Sequence, residues 1–215
     1  MTATIRRLPV YIVLDTSGSM RGEPIHSVNV GLQAMFSALR QDPYALESVF
    51  LSIITFDVQA REYLPLTPLT DVKLDTIQAP DSGATFLGAA LELLIECVDR
   101  DVKKTTPDTR GDWRPLLFVM TDGSPSDLHF YRQAIPGIKQ RHFATIIACA
   151  AGPKAKRDVL LELTDQVYIL ETLDAASFSG FFKWVSASVT IGANTVGIFD
   201  SATLPPPPPE IQLLS

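Results

Sequence analysis

Thiols, imidazoles and basic runs are all scarce in this chain. It has two cysteines and three histidines in 215 residues. Cys97 falls in a helical pattern and Cys149 in a strand pattern, both among apolar neighbours, so they read as buried thiols rather than a disulfide. That usage fits a reducing compartment. The formal net charge is -6. With no dense Lys/Arg run, binding to a nucleic-acid backbone is disfavoured. No apolar stretch approaches the ~20 residues of a membrane-spanning helix. The opening "MTATIRRLPVYIVLD" has too short an apolar run for a secretory signal and no small-residue cleavage site after it. The expectation is a cytoplasmic protein. A G-x-S-x-G nucleophile elbow, the usual mark of a serine hydrolase, is also missing.

What is present is apolar and regularly spaced. Hydrophobic residues make up 46% of the chain, enough for one domain with a full core. Val10 to Leu14 is a continuous apolar run, as expected of a strand covered on both faces. From Pro24, residues Ile25, Val28, Leu32, Met35, Phe36 and Leu39 recur at helical spacing. Val49 to Phe56 reads as a second buried strand. The alternating "DVQAREYL" follows too closely for a crossover helix, which predicts an antiparallel edge strand.

Pro65 to Gly83 reads as loop. Phe86 to Val98 carries a helical stripe, and Leu116 to Met120 a fourth strand. Helix, strand, helix and strand patterns then follow over Phe130–Ile138, Phe143–Ala150, Lys156–Leu163 and Val167–Leu170. A last helix runs through Phe178, Phe181, Phe182, Val185 and Val189. This alternation predicts an α/β fold: a doubly wound, mostly parallel six-stranded sheet with one antiparallel edge strand and helices on both faces. The expected division is a domain over 1–190 and a tail over 191–215. The tail's "PPPPP" cannot join a helix or sheet interior. It reads as a solvated tail or spacer in preference to a docked strap or a ligand for a proline-recognition module.

Ligands on such sheets sit at the carboxyl ends of the strands, near the switch in strand order. Polar groups fall there. Asp15, Ser17 and Ser19 leave the first strand in "VYIVLDTSGSM". Asp122 leaves the fourth in "LLFVMTDGSPSD". Thr85 stands in "DSGATFLG", just before the third long helix pattern. Residues two apart in an extended segment point the same way, so Asp15, Ser17 and Ser19 can converge, with Gly18 easing the turn. The set offers carboxylate and hydroxyl oxygen without Cys or His. Such donors select hard cations and argue against zinc or copper. Short hydroxyl ligands suit an octahedral Mg²⁺ that keeps some water, with Mn²⁺ and Ca²⁺ as alternatives.

"DTSGSM", the threonine of "SGATFLGAAL" and the aspartate of "VMTDGSPSD" resemble the metal-ion-dependent adhesion site of von Willebrand factor type A domains. The likeness runs from residue 8 to 190, and all five motif positions are filled. Within that superfamily the chain is most similar to bacterial TerY-like tellurite-resistance and stress-response proteins, on general resemblance and on "TDGSPSD". The resemblance implies that Ser17, Ser19 and Thr85 contact Mg²⁺ directly, while Asp15 and Asp122 act partly through water. Mostly neutral direct ligands would leave the ion short of negative charge, so a partner's Asp or Glu completes the shell. It also implies a non-enzymatic interaction module whose partners include a kinase or phosphatase encoded nearby.

Enzymes compete with this reading. A haloacid-dehalogenase-type phosphatase needs a second carboxylate two residues after the first, where this chain has Ser17. A flavodoxin-like phosphate loop would set Asp15 against the phosphate. The best enzymatic alternative is a Mg²⁺-dependent phosphatase or phosphoryl-transfer activity at the same ion. His26, His129 and His142 read as surface or capping residues. Arg110-Gly111-Asp112 reads as a chance adhesion-peptide string. Ser124 or Ser126 reads as the cap of the helix that follows.

Overall fold

The structure, a computed structural model, describes residues 6–81, 83–194, 204–209 and 211–214. Of the tail expected over 191–215, residues 195–203, 210 and 215 lie outside the described residues. The strands are β1 (Leu8–Asp15), β2 (Val49–Phe56), β3 (Ala60–Pro68), β4 (Leu116–Thr121), β5 (Thr145–Ala151), β6 (Val167–Leu170) and β7 (Ile211–Leu213). The helices are α1 (Glu23–Leu39), α2 (Pro43–Ser48), α3 (Leu87–Asp101), α4 (Leu128–Gln140), α5 (Arg157–Leu163) and α6 (Ala175–Asn194). Among the described residues no helix is long and apolar enough to cross a membrane.

The sheet order is β3-β2-β1-β4-β5-β6-β7. β1 pairs in parallel with β2 on one side and β4 on the other, so the strand order reverses at β1. Every residue of β1 is buried, which explains its unbroken apolar run. Alternate residues serve opposite layers. Val10, Ile12 and Leu14 join the core under α1 and α6, while Tyr11 and Val13 join the core under α3 and α4. On β4, Phe118 and Met120 take the first side and Leu117 and Val119 the second. In the first layer, α1 and α6 pack closely because Gly31 is bare: a β-carbon there would lie 2.3 Å from the Phe182 ring.

Two features correct the expectation. The sheet has seven strands rather than six, and both edges are antiparallel: β3 against β2 and β7 against β6. The tail is also docked in part, at Pro205 and Ile211, while Pro206, Pro207 and Pro209 stay exposed. Trp184 Nε1 on α6 donates to the Pro205 carbonyl at 2.8 Å, and Ile211 is 3% exposed beside Leu170. Three residues are too few to show strand alternation, so β7 has no periodic signal. β3 runs past Pro65 to Pro68, which only an edge strand tolerates. Arg110-Gly111-Asp112 is folded into the structure, with Asp112 bonded by the Arg7 guanidinium and the Lys103 N–H.

Candidate metal centre

The parity that sorts the core also places the first polar pair. Asp15 continues the Tyr11–Val13 side of β1, and Thr121 continues the Leu117–Val119 side of β4. At the strand ends Thr121 Oγ1 therefore donates to Asp15 Oδ2, at 2.6 Å. The other oxygen, Asp15 Oδ1, accepts the Ser17 N–H at 2.8 Å, which closes the turn after the strand. A short 3-10 turn over Gly18–Met20 then carries Ser19 back across the switch point.

Ser19 Oγ donates to Asp122 Oδ1 at 2.8 Å. It also lies 3.3 Å from Ser17 Oγ. A hydroxyl has one proton to give, and Ser19 has committed its own to Asp122. The chain of bonds therefore runs from Ser17 to Ser19 to Asp122. Asp15, Ser17, Thr85 and Asp122 are buried, whereas Ser19 is exposed. The group opens to solvent on the Ser19 side.

Thr85 reaches this group by another route. Its N–H donates to Ser126 Oγ at 3.1 Å, and the Ser126 N–H returns a 2.8 Å bond to the Thr85 carbonyl. Its hydroxyl faces Gly123: a β-carbon on that glycine would stand 3.3 Å from Thr85 Oγ1. The structure thus links Asp15, Ser17, Ser19 and Asp122 by hydrogen bonds, or through Thr121, and sets Thr85 against the loop that bears Asp122.

Three further residues of this arrangement were missed in the sequence. Thr121 could have been found from its parity with Leu117 and Val119. Asp57, fully buried at the end of β2, pairs with Arg61 at 2.7 Å, and its carbonyl accepts the Phe86 N–H. Its position after an apolar strand repeats the pattern of Asp15 and Asp122. Asp127 is a correction. The local reading made Ser124 or Ser126 the cap of α4, but Asp127 is the N-cap residue and its side chain does not bond α4. It instead accepts from Gly88 N at 3.0 Å and Ala89 N at 2.9 Å, capping α3 from outside. Nothing local signals a cap supplied across the fold.

The electrostatics favour a cation. Burial pushes the Asp15 carboxyl up to about 6, against the hydrogen bonds from Thr121 and Ser17, and the Asp122 charge adds to the rise. Burial raises Asp122 too, opposed by the Ser19 bond and the charge of Lys154. Two carboxyls held out of water beside each other resist ionisation, and a positive ion between them relieves both penalties. Among the described residues, no three His, Cys, Asp or Glu side chains gather as a metal-ligating group. The donors here are three hydroxyls and two carboxylates, a set suited to a hard divalent ion.

A doubly wound sheet with an oxygen-lined cluster at its switch point defines a class of ligand-binding α/β domain. The particular family follows from sequence. The von Willebrand factor type A domain model matches residues 10–177, and the chain belongs to that family. A search of curated proteins found no match. Among solved structures, the mussel byssus proximal thread matrix protein 1 "with zinc occupied MIDAS motif" matches at TM-score 0.60 and 15% identity, covering 90% of this chain and 47% of that one. The Lactobacillus rhamnosus GG pilus adhesin SpaC matches at 0.70 and 12%, covering 87% and 31%. Manganese-loaded Plasmodium vivax TRAP protein matches at 0.55 and 17%, covering 81% and 71%. The chain spans about half the length of the byssus protein. At these identities the likeness concerns the fold.

Proposed function

We propose that this domain is a non-enzymatic interaction module that holds Mg²⁺ and captures an acidic side chain of a partner protein. Ser17, Ser19 and Thr85 are the direct ligands, and Asp15 and Asp122 act largely through water. Mn²⁺ or Ca²⁺ would serve in the same place. The bound ion would supply a Lewis-acidic position for a carboxylate from outside. One observation carries the reading: the Ser17–Ser19–Asp122 chain of hydroxyls and carboxylate, open to solvent beside buried Asp15. Its carboxyls lack a cationic side chain bonded to them among the described residues.

The enzymatic alternative, a Mg²⁺-dependent phosphatase or phosphoryl-transfer activity, would use the same ion. The likeness of "TDGSPSD" to TerY-like proteins supports a finer reading. It sets the domain in a bacterial tellurite-resistance or stress-response system in the cytoplasm, with a kinase or phosphatase encoded nearby as partner. The two buried free cysteines are consistent with that compartment.

Affinity capture from a cell lysate, with Mg²⁺ against EDTA, tests the function. Proteins retained in Mg²⁺ and lost both in EDTA and with Thr85→Ala support it. Equal capture under all three conditions contradicts it.

A further inference from the structure

A groove of about 630 Å³ opens beside Thr85, lined chiefly by Phe86, Ala89, Glu92, Leu128, His129 and Phe130. Its volume falls in the range of specific ligand pockets, about 300–1,000 Å³. Phe86 follows Thr85 directly in the chain. Ser126, which exchanges two bonds with Thr85, forms part of the opposite wall. The groove is therefore continuous with the edge of the metal centre. The Asp127 carboxylate in its wall is spent on Gly88 N and Ala89 N, so it adds no free acceptor. Phe130 is 53% exposed and stacks edge-on with His129, their centroids 5.8 Å apart. The accessible lining of the groove is chiefly apolar, as in sites that seat an apolar side chain.

The other flank of the centre differs in charge. The loop after β5 carries the exposed Lys154 and is tied through the Lys156 N–H to the carbonyl of Gly123, the residue after Asp122. A cation on one side and an apolar groove on the other complement a ligand that is acidic at one point and apolar at the next.

Resting on the metal reading above, we infer that the partner binds as an extended peptide segment. Its acidic residue enters the ion's shell, and a large apolar side chain a few positions away seats between Phe86 and Phe130. The ion supplies anion capture, and the groove selects among acidic sequences.

Fluorescein-labelled Gly/Ser decapeptides carrying one Asp, with Phe placed one to four positions to either side, test this in fluorescence anisotropy at saturating Mn²⁺. Each has a Phe→Ser control. Calorimetric titration of Mn²⁺ alone comes first. A chain that takes up no Mn²⁺ overturns the metal reading itself. With Mn²⁺ bound, at least one Asp/Phe spacing is expected to bind about ten-fold or more tighter than its control, the gain from burying one large apolar side chain. Phe130→Ala should erase that gain while leaving Mn²⁺ uptake and the thermal midpoint unchanged, since the ring is half exposed. Mn²⁺-loaded protein that binds no peptide, shows no Phe preference, or keeps the preference in Phe130→Ala overturns the inference.

Discussion

Ser19 Oγ stands 2.8 Å from Asp122 Oδ1, although 103 positions separate the two residues in the chain. The contact joins the loop after β1 to the loop after β4, the two strands that flank the reversal of strand order. Parallel strands leave neighbouring carboxyl ends on the same edge of the sheet, so a short turn after each is enough to bring the side chains together. In the proposed metal-bound state the Ser19 oxygen would also offer a lone pair to the ion while its own O–H goes on donating to Asp122 Oδ1.

Asp15 makes metal-free stability depend on pH. Its folded-state value of about 6 lies above the ordinary 3.8, chiefly through burial. The native chain then holds this proton more tightly than the unfolded chain. The contribution is complete below about pH 4 and is lost as pH rises through about 6, a change of about 3 kcal/mol. In EDTA, Asp15→Asn should gain about that much over wild type between pH 4 and pH 7.5, read by urea unfolding. Saturating Mg²⁺ should close the gap at pH 7.5 by stabilising wild type alone. Parallel pH curves for the two proteins would refute the assignment.

Asp127 should matter more than the serines beside it. Both its oxygens cap α3 from the α4 side. Asp127→Ala is expected to cost about 1–2 kcal/mol, as loss of a helix cap does. Ser124 is exposed, and Ser124→Ala should stay within about 0.5 kcal/mol of wild type. Chemical denaturation of both variants decides the order. Because the cap also fixes the segment that follows Thr85, Asp127→Ala should weaken Mn²⁺ binding as well.

The docked tail should contribute to stability. Removing residues from Leu204 onward deletes the Trp184–Pro205 hydrogen bond and uncovers the surface under Ile211. One hydrogen bond at about 1 kcal/mol and one buried isoleucine at about 1.5–3 give an expected loss of about 2–4 kcal/mol. Trp184, 4% exposed in the intact chain, should shift its emission to the red. Unchanged fluorescence would show that the tail does not cover it.

Much of this architecture was legible because strand and helix periods are written plainly in the chain. The unbroken Val10–Leu14 run and its abrupt end at Asp15 declare a buried strand and a polar strand end, and Leu116–Met120 with Asp122 repeats the pattern. Thr85 was placed by its position just before the α3 pattern and by the family motif, since the residues of "SGATF" alone do not mark it. What escaped depends on tertiary packing or on very short elements. Ser124 and Ser126 look like caps for α4, whereas Asp127 holds that N-cap position and its side chain caps α3. α2 has only six residues, too few for a periodic stripe, although Asp42 accepts the Ala45 N–H and Pro43 opens the helix. β7 follows five prolines, and its three residues pair only because β6 presents an edge. Asp57 was missed because the antiparallel turn to β3 drew it into a strand pattern.

Anomalous diffraction from crystals grown in Mn²⁺ tests the central claim most directly. The account predicts one peak bonded to the Ser17, Ser19 and Thr85 hydroxyls, with Asp15 and Asp122 close enough to act through water, and no such peak in Thr85→Ala. A peak elsewhere on the molecule, or an unfilled cluster at saturating Mn²⁺, would contradict it.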